Sequence, residues 1–534
     1  MTGRSLSRCA ALLTIVSHVH MLAAQTQPVL RSGTQLIHVT ILARDHNGKP
    51  VTGLTAADFT VTEDGKAQDI AFFDANGATS PAAAPTPASS ALATASPDDH
   101  GTAFSNMAGV DRVRSVTVVL LDRLNTAWAD QAQAREGIRK FLSQVRPDDR
   151  VALYALDGTA LRVLHDFTSD TAALLRAVNG AARMTSTATD AQNADTDPVM
   201  GAALQSGFGM SEYQLQVVGA AAYTTITALQ AIGQHLAGIP GRKSVVWISS
   251  AFPSNALLAH AVDRTSELQR ATRALNTAGI SVYPIDARGL IGAFSDPGTA
   301  TRPPTFATLD TVHNNSDVMH SIADDTGGRL FVNTNDIGGA IRSAIDDAGA
   351  YYVIGYYAPA GPDDGRYRQI VVKTRASGVD LRFRHGYFAT ATDLAGGDRK
   401  TALERAIRDV LDATGIPVTV RVVPGGANQD VALSIATDGR ALSLRNTQGT
   451  WTGSIDLAIA QVHDDGSLHV DTDTTIALKL TDEQHQALMD SGLTLTRHIT
   501  VAPNTARVAV VIRDAGSGAL GSVFVPAARL RAAR

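Results

Sequence analysis

"SVTVVLLDRLNT", residues 115–126, is the stretch on which the fold turns. Val116 to Leu121 form an almost unbroken apolar run, the mark of a strand covered on both faces. The run ends on Asp122, and Thr126 follows four residues later, so a carboxylate and a hydroxyl arrive together at a strand tip. In open α/β sheets the strand tips are where ligands bind.

The same grammar continues downstream. "RVALYALD" (150–157), "SVVWISS" (244–250), "SVYPID" (281–286), "RLFVN" (329–333) and "YYVIGYYA" (351–358) read as further strands. Helical stretches lie between them. In "DQAQAREGIRKFLSQV", Ile138, Phe141, Leu142 and Val145 recur at helical spacing on one face. Strand–helix alternation of this kind predicts an α/β fold, a doubly wound and mostly parallel sheet, over residues 112–392, with a closing β-hairpin. Two polar, aperiodic stretches, 185–210 and 289–308, read as long loops at one end of that sheet.

The flanks have a different composition. Residues 28–75 predict a small β-domain: Ile37, Val39 and Ile41 alternate with polar residues, and Asp64-Gly65 suits a hairpin turn. Residues 76–111, rich in Ala, Ser and Pro, predict a disordered linker. Residues 393–415 carry a linker helix. Alternating strands separated by Gly, Asp and Asn turns over 416–534 predict a β-sandwich-like domain.

Composition narrows the function. The 534 residues are 44% hydrophobic and 18% charged with a net charge of −5, enough apolar material for three or four domains and no basic excess to attract nucleic acid. Arg4 and Arg8 precede an apolar run that ends at Ala23 and Ala24, the order of a secretory signal over residues 1–27, although His18 and His20 interrupt it. Export to the periplasm, the outer surface or the medium is the expectation, with no transmembrane helix in the mature chain. Cys9, the single cysteine, falls inside that leader, so the domains would be stable without disulfides.

Eight stretches in order resemble a bacterial, acidobacterial-type VWFA-related family, built on the von Willebrand factor type A domain: "DFTVTEDGKAQDIAFF", "LLDRLNTAWADQAQAR", "HDFTSD", "PGRKSVVWISSAFP", "VYPIDARGL", "ADDTGGRLF", "YYVIGYY" and "FRHGYFA". They span roughly residues 33–390. The resemblance implies a divalent cation at the strand tips, held by an aspartate, two hydroxyls, a loop threonine and a second aspartate. Carried onto this chain, the aspartate is Asp122 and the second hydroxyl Thr126. Leu124, with no donor atom, takes the first hydroxyl position, and Ser249 or Ser250 stands for the second aspartate. Thr185 or Thr187 would be the loop threonine, and Asn125 could add an amide oxygen. One hydroxyl and one negative charge are missing, so the expectation is weak binding of Mg²⁺ or Mn²⁺ at Asp122, Thr126 and Ser249. The competing reading is that Asp122 and Thr126 tie the strand-to-helix turn to itself by hydrogen bonds.

No enzyme motif emerges. Ser249-Ser250 lacks the Gly-x-Ser-x-Gly elbow, His165 and Asp166 are adjacent on a strand and point apart, and the acidic "HDDGSLHVDTDT" (463–474) lacks calcium-loop spacing. The expectation is an exported, non-enzymatic, adhesion-type protein with a degenerate metal-ion-dependent site. It would present Asn125, Thr185, Thr187 and Ser250 to an unidentified protein partner at the cell surface or in the envelope. A metal-dependent hydrolase and a structural envelope protein are the alternatives.

Overall fold

The computed structural model describes residues 36–76, 103–107, 115–126, 128–158, 160–183, 212–250, 252, 261–290, 306–347, 350–358, 364–390, 399–424 and 430–532. The expected leader, Thr185, Thr187 and most of the expected linker lie outside the described residues. Within them the chain is a mixed α/β protein with one parallel-containing sheet and several antiparallel ones.

The parallel sheet runs in the order Ile280–Asp286, Arg242–Ser249, Ser115–Asp122, Val151–Asp157, with Ala160–Thr168 added antiparallel at the edge. Ser115–Asp122 is central, which is why its sequence is apolar throughout. Successive side chains alternate between faces. Val116, Val118 and Leu120 enter a core built with the helices Glu212–Leu236, Ala261–Thr277 and Phe306–Thr326. Val119 and Leu121 enter the opposite core with Trp128–Leu142, Thr171–Arg183 and Ile337–Asp346. Each large aliphatic side chain buried this way contributes about 1.5–3 kcal/mol. "RLFVN" is not a sheet strand: only Phe331 makes a bridge, to Ile285.

"YYVIGYY" corrects the sequence reading more deeply. Tyr351–Tyr357 pairs antiparallel with Leu36–Asp45 and with Phe72–Asn76, not with the parallel sheet. A second sheet, Gly386–Thr390, Asp364–Thr374, Phe59–Glu63 and Lys66–Gln68 in order, covers the first. The two sheets share one core that includes Val39, Ile41, Val61, Ile354, Tyr356, Ile370 and Val372. The small β-unit is therefore made from both sides of the α/β region, which is inserted between Asn76 and Tyr351. The expected boundary at 75 cuts this unit, and the expected 112–392 domain takes in its second half, Tyr351–Thr390, because a partner some 300 residues away leaves no local signal.

The C-terminal region packs two antiparallel sheets around Val418, Val420, Leu433, Ile435, Leu457, Ile459, Val510 and Val523. Two neighbours belong to it that the sequence reading had set apart. Ala103–Ser105, expected within the linker, is an edge strand on Val418–Pro424. Helix Arg399–Arg408 lays Leu403, Ala406 and Ile407 on the outer face of one sheet, against Ala458, Ala460 and Val511. The segment after it meets the end of helix Glu212–Leu236: Thr414 Oγ1 donates to His235 O at 2.6 Å and accepts from Gly238 N at 2.8 Å. A Cβ at Gly238 would run into the Thr414 carbonyl, so only glycine allows this approach. Among the described residues, no helix is long and apolar enough to cross a membrane.

Candidate functional site

Asp122 is the last residue of the central strand and is fully buried. The chain leaves it through a short turn into helix Trp128–Leu142, and Asp122 closes that turn. Its Oδ1 accepts from the Asn125 backbone N–H at 3.0 Å and its Oδ2 from the Asn125 amide at 2.9 Å. The Thr126 hydroxyl donates back to the Asp122 carbonyl. Gln131 Nε2 caps the same turn, donating to Thr126 O at 2.9 Å and Arg123 O at 3.2 Å. Asx-type closure of this kind is what Asp and Asn do at turns.

The next strand supplies the other donors. Trp247 Nε1 donates to Asp122 Oδ2 at 3.0 Å and Ser249 Oγ to the same oxygen at 3.1 Å. The Ser250 N–H donates to Thr126 Oγ1 at 3.2 Å, and its hydroxyl to Asp130 Oδ2 at 2.7 Å. Asn125 reaches the helix Glu212–Leu236 as well, donating to Thr225 Oγ1 at 2.7 Å. One network therefore ties two strand tips to the start of one helix and the middle of another.

Burial pushes the Asp122 carboxyl up from its ordinary value, and the donors from Asn125, Trp247 and Ser249 pull it back. A carboxylate offers about four acceptor positions, and four donors point at this one. Three of the four are N–H groups. Mg²⁺ and Mn²⁺ take oxygen ligands, and a backbone amide or an indole cannot become one. The donor set at Asp122 thus fits a hydrogen-bonded carboxylate and does not fit a cation cage. Leu124, which the resemblance set at a hydroxyl position, packs on the apolar core.

The structure brings together Asp122, Asn125, Thr126, Ser249 and Ser250. Thr185 and Thr187 lie outside the described residues. Sequence reading missed Trp247, Thr225, Asp130 and Gln131. Trp247 was within reach, since two positions before Ser249 on a strand means the same face. It also passed over Asp286, the tip of the next strand, whose carboxylate is held bidentately by Arg288 at 2.9 and 2.7 Å. Of the acidic run 463–474, Asp465 closes the hairpin turn onto Ser467, while Asp471 accepts from Gln461 and Asp473 pairs with Arg399. These contacts are structural. Arg242 crosses the sheet to donate to the Tyr283 hydroxyl at 3.0 Å.

No family model and no curated protein matches this chain. Solved structures do match. The p34 N-terminal domain of TFIIH aligns at 15% identity over 44% of this chain and 98% of that one, with a TM-score of 0.22. The SpRpn10 VWA domain aligns at 12% identity over 43% and 94%, with a TM-score of 0.23. The pilus adhesin SpaC from Lactobacillus rhamnosus GG, in its open conformation, aligns at 10% identity over 76% of this chain and 52% of that one, with a TM-score of 0.25. Values this low carry no argument about activity or partner.

Proposed function

We propose that this chain is an exported, non-enzymatic, adhesion-type binding protein that presents the strand-tip face around Asp122 to a protein partner. The observation that carries the reading is the saturation of the Asp122 carboxylate by four protein donors. Held this way, the carboxylate has little capacity left to act as a general base or a cation ligand. Its work is architectural: it fixes residues 123–126 and holds the half-buried Asn125 over a rigid floor in which Thr126, Ser249 and Ser250 are themselves buried. The expected contact of Ser250 with a partner is thus replaced by its bond to Asp130. This is a degenerate version of an ion-dependent site, with hydrogen bonds standing where the family places a cation. Leu290, 61% exposed just beyond the neighbouring strand tip, supplies an apolar contact on the same face.

The test uses the full chain on beads, with retention on cells of the producing organism measured with and without EDTA. Retention should be indifferent to EDTA and should fall with Leu290→Arg. Release by EDTA, or saturable Mn²⁺ binding that Asp122→Ala abolishes, would restore a cation-bridged mechanism and overturn this one.

A further inference from the structure

A cavity of about 190 Å³ lies between helix Glu212–Leu236, the start of the edge strand Ala160–Thr168 and the turn after helix Arg399–Arg408. It is separate from the strand-tip site. Leu161, Ala228 and Ala231 form its buried apolar floor, and Tyr223 and Val410, 44% and 54% exposed, form its rim. For scale, an apolar cavity of about 150 Å³ holds a benzene ring.

Three polar groups on the wall make no hydrogen bond among the described residues: the Asp409 carboxylate, the Tyr223 phenol and the Thr227 hydroxyl. Their neighbours behave differently. Thr224 and Thr225, on the same helix, turn their hydroxyls back to the carbonyls of Ala220 and Ala221 at 2.9 and 3.0 Å. The cations near Asp409 are engaged elsewhere. Arg405 donates to Gln230 at 2.6 Å and pairs with Glu267 at 3.7 Å. Arg507 donates to the carbonyls of Ile407, Arg408 and Asp409 and stacks 3.9 Å over Phe524. Arg408 reaches out to the Gly466 carbonyl at 3.5 Å. Half-buried acids are normally paired, and this one is not.

We propose that the cavity binds a primary ammonium or guanidinium on a short apolar stem, with Asp409 as counter-ion. The stem lies on Leu161, Ala228 and Ala231. The remaining N–H groups reach Tyr223 and Thr227, and the Tyr223 ring offers its face to the cation. Such a group is carried by a lysine or arginine of a partner protein or by a free organic amine.

Linkage to pH supports the assignment. Burial pushes the Asp409 carboxyl up to about 7, while Arg405 and Arg507 pull it down. On the following turn burial raises the Asp412 carboxyl to about 6, and the buried His235, whose ring nitrogen meets the Asp412 carbonyl at 2.7 Å, is kept neutral by burial. Asp166, on the edge strand, also faces Asp412 and His235. A bound cation favours ionised Asp409, so binding expels a proton and weakens as pH falls below 7, approaching tenfold per unit.

The experiment is calorimetric titration of the full chain with n-pentylamine, with 1-pentanol as the uncharged control and acetyl-Gly-Lys-Gly-amide as the protein-borne form. Asp409→Asn, which matches the protonated side chain in shape, is compared by melting temperature to confirm that it folds. Saturable amine binding, on the order of millimolar, weakened at least tenfold in Asp409→Asn and weakening below pH 7, is the expected result. Binding of the peptide as well as the amine would name a partner side chain as the source. Binding of the amine alone would name a free amine, and both results support the site. No saturation by either, equal binding of pentanol, or an Asp409→Asn variant that binds unchanged overturns the proposal.

Discussion

The indole N–H of Trp247 points at Oδ2 of Asp122 across 3.0 Å, from the adjacent strand, with both side chains fully buried. A buried carboxylate that loses one donor bears a desolvation cost of about 1–3 kcal/mol. Trp247→Phe, which keeps an aromatic ring and removes the N–H, should therefore lower the urea midpoint by that equivalent, plus a packing loss, at unchanged slope. Asp122→Asn at the same position would set an amide N–H against other donors and should cost a similar amount. A midpoint within error of the parent for both would mean that this network holds nothing up.

Stability should depend on pH through the segment after helix Arg399–Arg408. Burial raises the carboxyls of Asp409 and Asp412 to about 7 and about 6. Their values in the unfolded chain are near 4. Between those limits the folded state binds more protons than the unfolded state, so stability falls as pH rises through about 4 to 7. The melting temperature should drop between pH 5 and pH 8, and Asp409→Asn should flatten part of that drop. Parallel curves for parent and variant would exclude Asp409 as a contributor.

Asn106 carries a similar load at the other junction. Its amide donates to Ala413 O at 2.6 Å and Ile416 O at 2.8 Å, and its carbonyl accepts from Val418 N at 2.9 Å. Asn106→Ala takes a partner from Ile416 O and Val418 N, while Ala413 O keeps its bond from Ser522 N, and should cost about 1–3 kcal/mol. It should also loosen the edge strand Ala103–Ser105, which limited proteolysis near residue 103 would register as faster cleavage.

Asn76 and Tyr351 are cross-strand partners, so the α/β insert enters and leaves the β-unit at one point. A chain in which Asn-Gly replaces residues 77–350, running from 36 to 390, should fold as an isolated β-unit with a cooperative thermal transition. Residues 36–76 alone lack Ile354, Tyr356, Ile370 and Val372 and should show no transition. Circular dichroism melts of the two peptides decide between these outcomes.

What could be read in advance followed from what is local. The central strand announced itself because both of its faces are covered, and the tip residues Asp122, Asn125, Thr126 and Ser249 stand together as their positions implied. Trp247 as a fourth-donor partner was readable from strand periodicity. Thr225 was not, since a helix a hundred residues downstream supplies it. The pairing of "YYVIGYY" with Leu36–Asp45 was equally hidden, because buried tyrosines suit a strand in either sheet. Ala103–Ser105 is three residues in a Pro- and Ala-rich context, and Asn106 rather than any periodicity anchors it.

The insertion also sets a timetable. From Asn76 to Tyr351 is 275 positions. At ribosomal speeds of roughly 5–20 residues per second, the first half of the β-unit waits on the order of 15–60 s for its other half to be made. During that interval Phe59, Val61 and the Leu36–Asp45 strand have apolar faces and no cover. A chaperone acting on this protein would find its earliest client there, while the α/β region, whose sheet strands all fall within the insert, can complete itself first.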